Sequence, residues 1–111
     1  MNEQAIPILR VADAAKAVTW YERLGFEKQW EHRFEPDFPA FVEVARGDVR
    51  LFLSEHTGDA TPNTLIYLRV HNVDEVAQEF ATPVQDPPWA RELHLTDPDG
   101  NRLRIGTPTD K

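Results

Sequence analysis

The residues of this sequence that are best suited to bind a ligand are aromatic. Three large rings lie close together in one stretch and are separated by carboxylates; the rings are Trp30, Phe34 and Phe38. Such a row predicts stacking on a flat, cationic heteroaromatic ligand, because the face of an aromatic ring attracts positive charge. The alternative is that Trp30 and Phe38 alternate inward and fill the core. Trp89 is a further candidate for a ligand wall, since its surroundings lack the periodicity of a core segment.

Metal-dependent and nucleophilic chemistry find little support. The sequence has no cysteine, which excludes a disulfide, a thiolate metal site and a cysteine nucleophile. Its histidines have spacings that match no metal motif; they are His32, His56, His71 and His94. A metal-independent enzyme is an alternative, because Glu43, His94 and Arg104 could point into one cleft and supply acid–base pairs. Glu43 alternates with two valines, however, and could equally face solvent.

Length and composition place the chain among small globular proteins. Its 111 residues suffice for one domain with one modest core, and its 41% hydrophobic and 28% charged residues are typical of a folded protein. The net charge of -7 argues against a nucleic-acid partner, whose phosphates are also negative. The N-terminus has no signal-peptide pattern, and no apolar run has the length of a membrane helix. We therefore expect a single domain over residues 1–111 in a cytoplasmic protein with no membrane partner.

The elements that position these side chains begin with a strand over residues 6–11 and a helix. Asp13 is a candidate N-cap, apolar residues recur at three- and four-residue steps after it, and Gly25 lies where the helix should end. Strands of an antiparallel meander follow; they span 26–32, 38–45 and 49–54. A loop at 34–37 separates the first two of these strands, and a tight turn at 46–48 joins the last two.

The same order of elements returns in the second half of the chain. Leu9-Arg10-Val11 recurs as Leu68-Arg69-Val70, and the capping and helix-face residues fall in register with it. The second set of elements comprises strands at 64–70, 91–96 and 102–106 and a helix from Asn72 to Phe80. This repeat predicts an α+β fold of two βαβββ modules in tandem, module 1 over about 5–55 and module 2 over about 63–107. Module 2 is shorter, and its strand before Trp89 is weakly indicated.

Three features in this order resemble the vicinal-oxygen-chelate superfamily, which includes glyoxalases, bleomycin-resistance proteins and dioxygenases. The features are the repeat, the helix end Tyr21-Glu22-Arg23-Leu24-Gly25-Phe26, and the closing Asp97-Pro98-Asp99-Gly100-Asn101-Arg102-Leu103. Three segments resemble the bleomycin-resistance proteins in particular; they are 41–54, Pro62-Asn63-Thr64-Leu65 and Pro88-Trp89-Ala90-Arg91-Glu92. In those proteins the last segment usually reads Pro-Trp-Gly, so Ala90 is a departure that stiffens the loop beside Trp89.

The resemblance also bears on metal binding. Enzymes of the superfamily place a His or Glu at one site in each of four strands, facing a cleft. The corresponding positions here are Ile6, Phe52, Leu65 and Arg104. Three apolar side chains and a guanidinium offer no lone pair to a cation, so we expect no metal, no cofactor and none of the superfamily's Lewis-acid chemistry.

The resemblance implies a concave sheet surface that forms a cleft, and a homodimer with ligand grooves between its subunits. It further implies that Ser54 and Asn63 contact the ligand, in addition to the candidates that the residues themselves indicate, which are Trp30, Phe34, Phe38 and Trp89. The ligands of the family are bleomycin and phleomycin, cationic glycopeptides with a flat bithiazole tail. The sequence therefore predicts non-catalytic sequestration of such an antibiotic. A metal-independent enzyme and a binding protein for another small aromatic molecule are the alternatives.

Overall fold

Residues 3–109, which the computed structural model describes, form two helices and seven strands. The first two and last two residues of the expected domain 1–111 lie outside the described residues. The elements of the first module are β1 (Ile8–Arg10), α1 (Ala14–Glu22), β2 (Glu27–His32), β3 (Phe41–Arg46) and β4 (Val49–Ser54). Those of the second module are β5 (Leu65–Arg69), α2 (Val73–Phe80), β6 (Ala90–Thr96) and β7 (Arg102–Pro108). No helix within residues 3–109 has the length and apolar character needed to cross a membrane.

The strands form two sheets, one in each module. The strand order is β1-β4-β3-β2 in the first sheet and β5-β7-β6 in the second. In both modules the first strand pairs in parallel with the last strand, while the other neighbours pair antiparallel. The predicted α+β fold of two tandem modules is therefore confirmed. Most strand ends differ from the prediction by one to three residues. Phe38, for example, lies in the loop before β3, and Ile6 lies before β1.

The second module departs from a full βαβββ order. Where the repeat predicts a strand after α2, the described residues form only a single bridge between Gln85 and Glu92. The surrounding segment contains Pro83, Pro87 and Pro88. A proline has no backbone N–H to donate to a sheet, so this segment cannot continue the ladder in either direction. The weak signal for this strand in the sequence has a physical cause.

Helix α1 forms where capping and periodicity predict it. The Asp13 side chain accepts a hydrogen bond from the backbone N–H of Lys16, which satisfies one free donor of the first turn. The helix buries Ala14, Ala17 and Tyr21 against the first sheet. The chain then turns at Gly25, whose φ of +90° is accessible to glycine at little cost.

The two modules are joined through the hairpin between β6 and β7. The buried hydroxyl of Tyr21 in α1 donates a 2.7 Å hydrogen bond to the carboxylate of Asp97. The same carboxylate accepts the backbone N–H of Asn101, whose side-chain amide donates to the carbonyl of Arg10. Both modules also contribute to one continuous hydrophobic core. The hairpin that the sequence marks as a turn is therefore a buried polar link between module 1 and module 2.

Candidate functional site

Each sheet has one face against its helix and one open face. On the helix side of the first sheet, Leu9, Val42 and Leu53 are fully buried. The cross-strand partners on its other side are at least partly exposed and mainly apolar; we call this the aromatic face, formed by Ile8, Trp30, Phe41 and Phe52. The corresponding side of the second sheet is polar; we call it the arginine face, formed by Tyr67, Arg69, Glu92, His94, Arg102 and Arg104.

The rings of the aromatic face form a continuous patch. Trp30 and Phe41 are stacked, with centroids 6.0 Å apart and planes inclined by 21°. The centroids of Phe41 and Phe52 are 4.9 Å apart, and those of Trp30 and Phe52 are 5.8 Å apart. Trp30 nevertheless keeps 42% of its surface exposed. Its ring is therefore held in place by its neighbours while one side is accessible to a flat molecule.

A pocket of about 670 Å³ opens over this patch. Trp30 and Phe41 line it together with Phe34, which keeps 72% of its surface exposed. The Phe34 ring meets the imidazoles of His32 and His56 edge-on, at centroid distances of 4.8 and 6.4 Å. The pocket lining thus combines the exposed apolar ring of Phe34 with two imidazoles that can donate or accept hydrogen bonds. This pocket is the best candidate for a ligand site on the first module.

Two carboxylates near the pocket, those of Glu31 and Glu43, lie beside basic side chains. Glu31 accepts hydrogen bonds from Lys28 at 2.8 Å and Arg33 at 3.0 Å, and these bonds hold its pKa below the usual range. Glu43 on the same sheet lies 3.9 Å from Arg50. Both side chains are engaged by arginine or lysine, and the lowered pKa of Glu31 is the opposite of what a general acid needs.

The residues singled out in the first module have different positions. Trp30 and Phe34 both line the pocket, whereas Phe38 is half exposed in the loop outside its lining. Ser54 is fully buried, donates a hydrogen bond to Asp59 at 2.5 Å and accepts one from the backbone N–H of His56 at 3.1 Å. Ser54 therefore positions two residues of the pocket lining, and its own hydroxyl is engaged.

The two remaining candidates lie away from this pocket. Asn63 has a φ of +67° in the loop before β5, and its side chain is close to Gly100 in the β6–β7 hairpin. Trp89 is 59% exposed beside the arginine face, and its indole N–H donates a 2.5 Å hydrogen bond to Glu92. Within one chain, these residues and the aromatic face belong to different modules.

Glu92 is the center of a polar cluster that the sequence reading missed. Its carboxylate is 2% exposed and accepts hydrogen bonds from Trp89, from the Tyr67 hydroxyl at 2.8 Å and from Arg104 at 2.8 Å. These donors, Arg104 foremost, lower the pKa of Glu92 to about 2. Gly106 makes room for the cluster, because a Cβ there would overlap the Tyr67 hydroxyl and lie 3.1 Å from the Glu92 side chain. In the sequence, the close spacing of Trp89 and Glu92 was the signal that could have indicated this cluster.

The positions where superfamily enzymes hold a metal are occupied here by groups that do not bind one. Phe52 lies on the aromatic face, Arg104 on the arginine face, and Leu65 is half exposed at the start of β5. Within residues 3–109 no group of three or more His, Asp or Glu side chains is placed to bind a metal. The residues of the acid–base alternative lie on different sheets: Glu43 is on the first, while His94 and Arg104 are on the second.

The fold and sequence define a family. The chain matches the family model of glyoxalase superfamily proteins over residues 1–111. It therefore belongs to the glyoxalase superfamily, as its motifs indicate. A comparison with curated proteins gives no match.

Several solved structures are similar over nearly the full chain. A bleomycin-binding protein from bleomycin-producing Streptomyces verticillus, complexed with copper(II)-bleomycin, is 31% identical; the match covers 99% of this chain and 98% of that one, with a TM-score of 0.71. A bleomycin resistance determinant encoded on the transposon Tn5 is 22% identical, with coverages of 98% and 100% and a TM-score of 0.74. The antibiotic-binding protein TnmS3 from Streptomyces sp. CB03234 is 23% identical, with coverages of 98% and 99% and a TM-score of 0.74. The last two show likeness of fold alone.

Proposed function

We propose that this protein is a cytoplasmic homodimer that binds and sequesters an antibiotic of the bleomycin class without converting it. The observation that carries the proposal is the continuous ring patch of Trp30, Phe41 and Phe52, of which Trp30 and Phe41 line an open pocket of about 670 Å³. A flat bithiazole would lie on this patch, with Phe34 covering its edge. The similarity to a protein whose structure holds copper(II)-bleomycin supports the same class of ligand.

Binding without turnover is favoured by the chemistry of the two open faces. The groups that most often act as general acids or bases are dispersed or engaged in ion pairs, as are Glu31 and Glu43. The positions of the superfamily's metal ligands hold Phe52 and Arg104 on the central strands. Protection from the drug would then depend on affinity and on the number of protein copies.

The homodimer part of the proposal explains how residues of different modules could meet one ligand. In one chain the aromatic face and Trp89 lie on different sheets. A second subunit can bring its Trp89 and Asn63 to the aromatic face of the first. Light scattering tests this point, because a monomer at the concentrations used for binding would remove the groove between subunits.

The binding test is a titration with metal-free and copper(II)-loaded bleomycin, followed by tryptophan fluorescence and by calorimetry. Calorimetry is needed because bound copper can itself quench fluorescence. We expect micromolar binding, and about tenfold weaker binding for Trp30→Ala, since stacking on an anchored ring contributes about 1 kcal/mol or more. Trp20→Phe is the matched control, because Trp20 packs on Phe80 on the helix side of the fold.

Three results would contradict the proposal. Absence of binding at micromolar drug would exclude the bleomycin class and leave another small aromatic molecule as the ligand. Equal loss of affinity in Trp30→Ala and Trp20→Phe would show that the effect arises from folding and not from the aromatic face. Release of a modified drug after incubation with catalytic amounts of protein would instead support the enzyme alternative.

A further inference from the structure

The arginine face carries an excess of positive charge in an acidic protein. Three guanidinium groups, those of Arg69, Arg102 and Arg104, share this face with a single carboxylate, that of Glu92. The whole chain has a net charge of -7. A cluster of cations is therefore concentrated on one side of the second sheet, against the overall balance of charge.

Two of these arginines differ from most arginines of the chain. Arg23, Arg33, Arg50 and Arg91 each lie within 4.0 Å of a carboxylate oxygen. Within residues 3–109, neither Arg69 nor Arg102 forms a salt bridge. Arg102 and Arg104 lie two residues apart in β7 and share one face of the sheet, so their positive charges repel each other and an anion bound between them would be stabilised.

Arg104 is held in a fixed orientation beside them. One of its terminal nitrogens donates to Glu92 at 2.8 Å, and its guanidinium carbon lies 5.6 Å from the centroid of the Tyr67 ring. Its Nε is buried and has no hydrogen-bond partner among the described residues. The side chain is nonetheless 38% exposed. A planar guanidinium that is fixed on one edge and accessible on another can bind a carboxylate with little loss of side-chain entropy.

A small pocket adjoins the exposed part of this side chain. It has a volume of about 210 Å³, and its lining includes the polar side chains of Arg102, Arg104 and His94 together with the half-exposed Leu65. Leu65 is the cross-strand neighbour of Arg102, so an apolar side chain lies directly beside the charged groups. This arrangement fits a molecule that has a carboxylate at one end and a small apolar body at the other.

We infer that the arginine face contains a binding site for a small aromatic or aliphatic carboxylate, with its anionic group between Arg102 and Arg104 and its apolar body on Leu65. This site goes beyond the proposed antibiotic binding, which uses the aromatic face. Glu92 and Tyr67 are positioning residues in it, since they orient Arg104 and do not contact the ligand.

The test uses three probes with the full chain: benzoate, benzylammonium and inorganic phosphate. Binding is followed by isotope-edited NMR, which reports the Nε–H of Arg104 and the backbone amides of β6 separately from those of the aromatic face. We expect benzoate to bind and to shift the signals of Arg104 and His94, while benzylammonium, which has a similar ring and the opposite charge, does not. Raising the salt concentration should weaken benzoate binding, because the contact is between exposed charges.

Three variants locate the site. Arg102→Gln should weaken benzoate binding about threefold, and Arg104→Lys about tenfold, since lysine keeps the charge but loses the planar fork. Arg91→Gln is the matched control and should leave benzoate affinity unchanged, because Arg91 is engaged by Asp74 and Asp86 away from this pocket.

Each of three outcomes would overturn the inference: equal binding of benzoate and benzylammonium, unchanged benzoate affinity in Arg102→Gln and Arg104→Lys, or binding of phosphate without binding of benzoate. The two proposals fail separately. Loss of bleomycin binding with retained benzoate binding would refute the proposed function alone, and the reverse result would refute the carboxylate site alone.

Discussion

Replacing Glu92 by Gln tests the polar cluster of the arginine face most directly. The carboxylate accepts hydrogen bonds from Trp89, Tyr67 and Arg104, and its pKa is lowered from 4.5 to about 2, first by the bond from Arg104. At about 1.4 kcal/mol per pKa unit, this difference sets an upper limit of about 3.4 kcal/mol on the stabilisation at neutral pH. The partner Arg104 is 38% exposed, so water screens the interaction between the two charges. We therefore expect Glu92→Gln to lower the free energy of unfolding by about 2 kcal/mol at pH 7.

The loss of stability in Glu92→Gln should depend on pH. Because the pKa of Glu92 is lower in the folded than in the unfolded protein, its contribution is fully present above about pH 4.5 and is lost as the pH falls toward 2. Glutamine does not titrate. The difference in stability between the wild type and Glu92→Gln should therefore shrink to less than half between pH 7 and pH 3.

Urea denaturation followed by circular dichroism, at pH 7, 5 and 3, measures this difference. The control is Glu79→Gln, because Glu79 forms an exposed ion pair with Arg23, for which we expect at most about 0.5 kcal/mol. A loss of stability that is the same at all three pH values would refute the reasoning, since it would arise from packing and not from charge. A loss as small as that of the control would show that the cluster does not stabilise the fold.

Three further predictions concern the link between modules, the space around Glu92 and the metal. Tyr21→Phe should lower the free energy of unfolding by about 1.5–3 kcal/mol in urea denaturation at pH 7, because a buried hydrogen bond to Asp97 is lost; an unchanged midpoint would contradict this. Gly106→Ala should cost about 1–3 kcal/mol and shift the emission of Trp89, since the added methyl group would displace the Tyr67 hydroxyl from Glu92; wild-type stability would show that the cluster has room. Elemental analysis after incubation with zinc or manganese should find no stoichiometric metal.

Periodicity and capping predicted the fold because they depend on local sequence. Helix α1 and the tight turn at Gly47 are set by residues within a few positions of each other, and both form where expected. The role of Asn72 could not be predicted in this way. It occupies the N-cap position of α2, but its amide oxygen accepts a hydrogen bond from Arg46 of the first module, a contact that requires the modules to be packed together.

The candidate site was less predictable, because strand alternation gives the face of a side chain but not its partner. Trp30 and Phe34 line the same pocket, but so does Phe41, which follows directly after a loop in the sequence and was not among the candidates. The sequence also gives no sign that Ser54 is fully buried and that its hydroxyl donates to Asp59. Burial and side-chain partners of this kind have no signal in one sequence.

The two open faces differ at equivalent positions of the duplicated modules. Ile8 in β1 pairs with Phe52, and Tyr67 occupies the equivalent place in β5, where it pairs with Arg104. An apolar pair in one module thus corresponds to a polar pair in the other, although both modules use the same strand order at this point. Since a stacked ring and a fixed guanidinium recognise different chemical groups, the aromatic face favours a flat ring and the arginine face favours an anion.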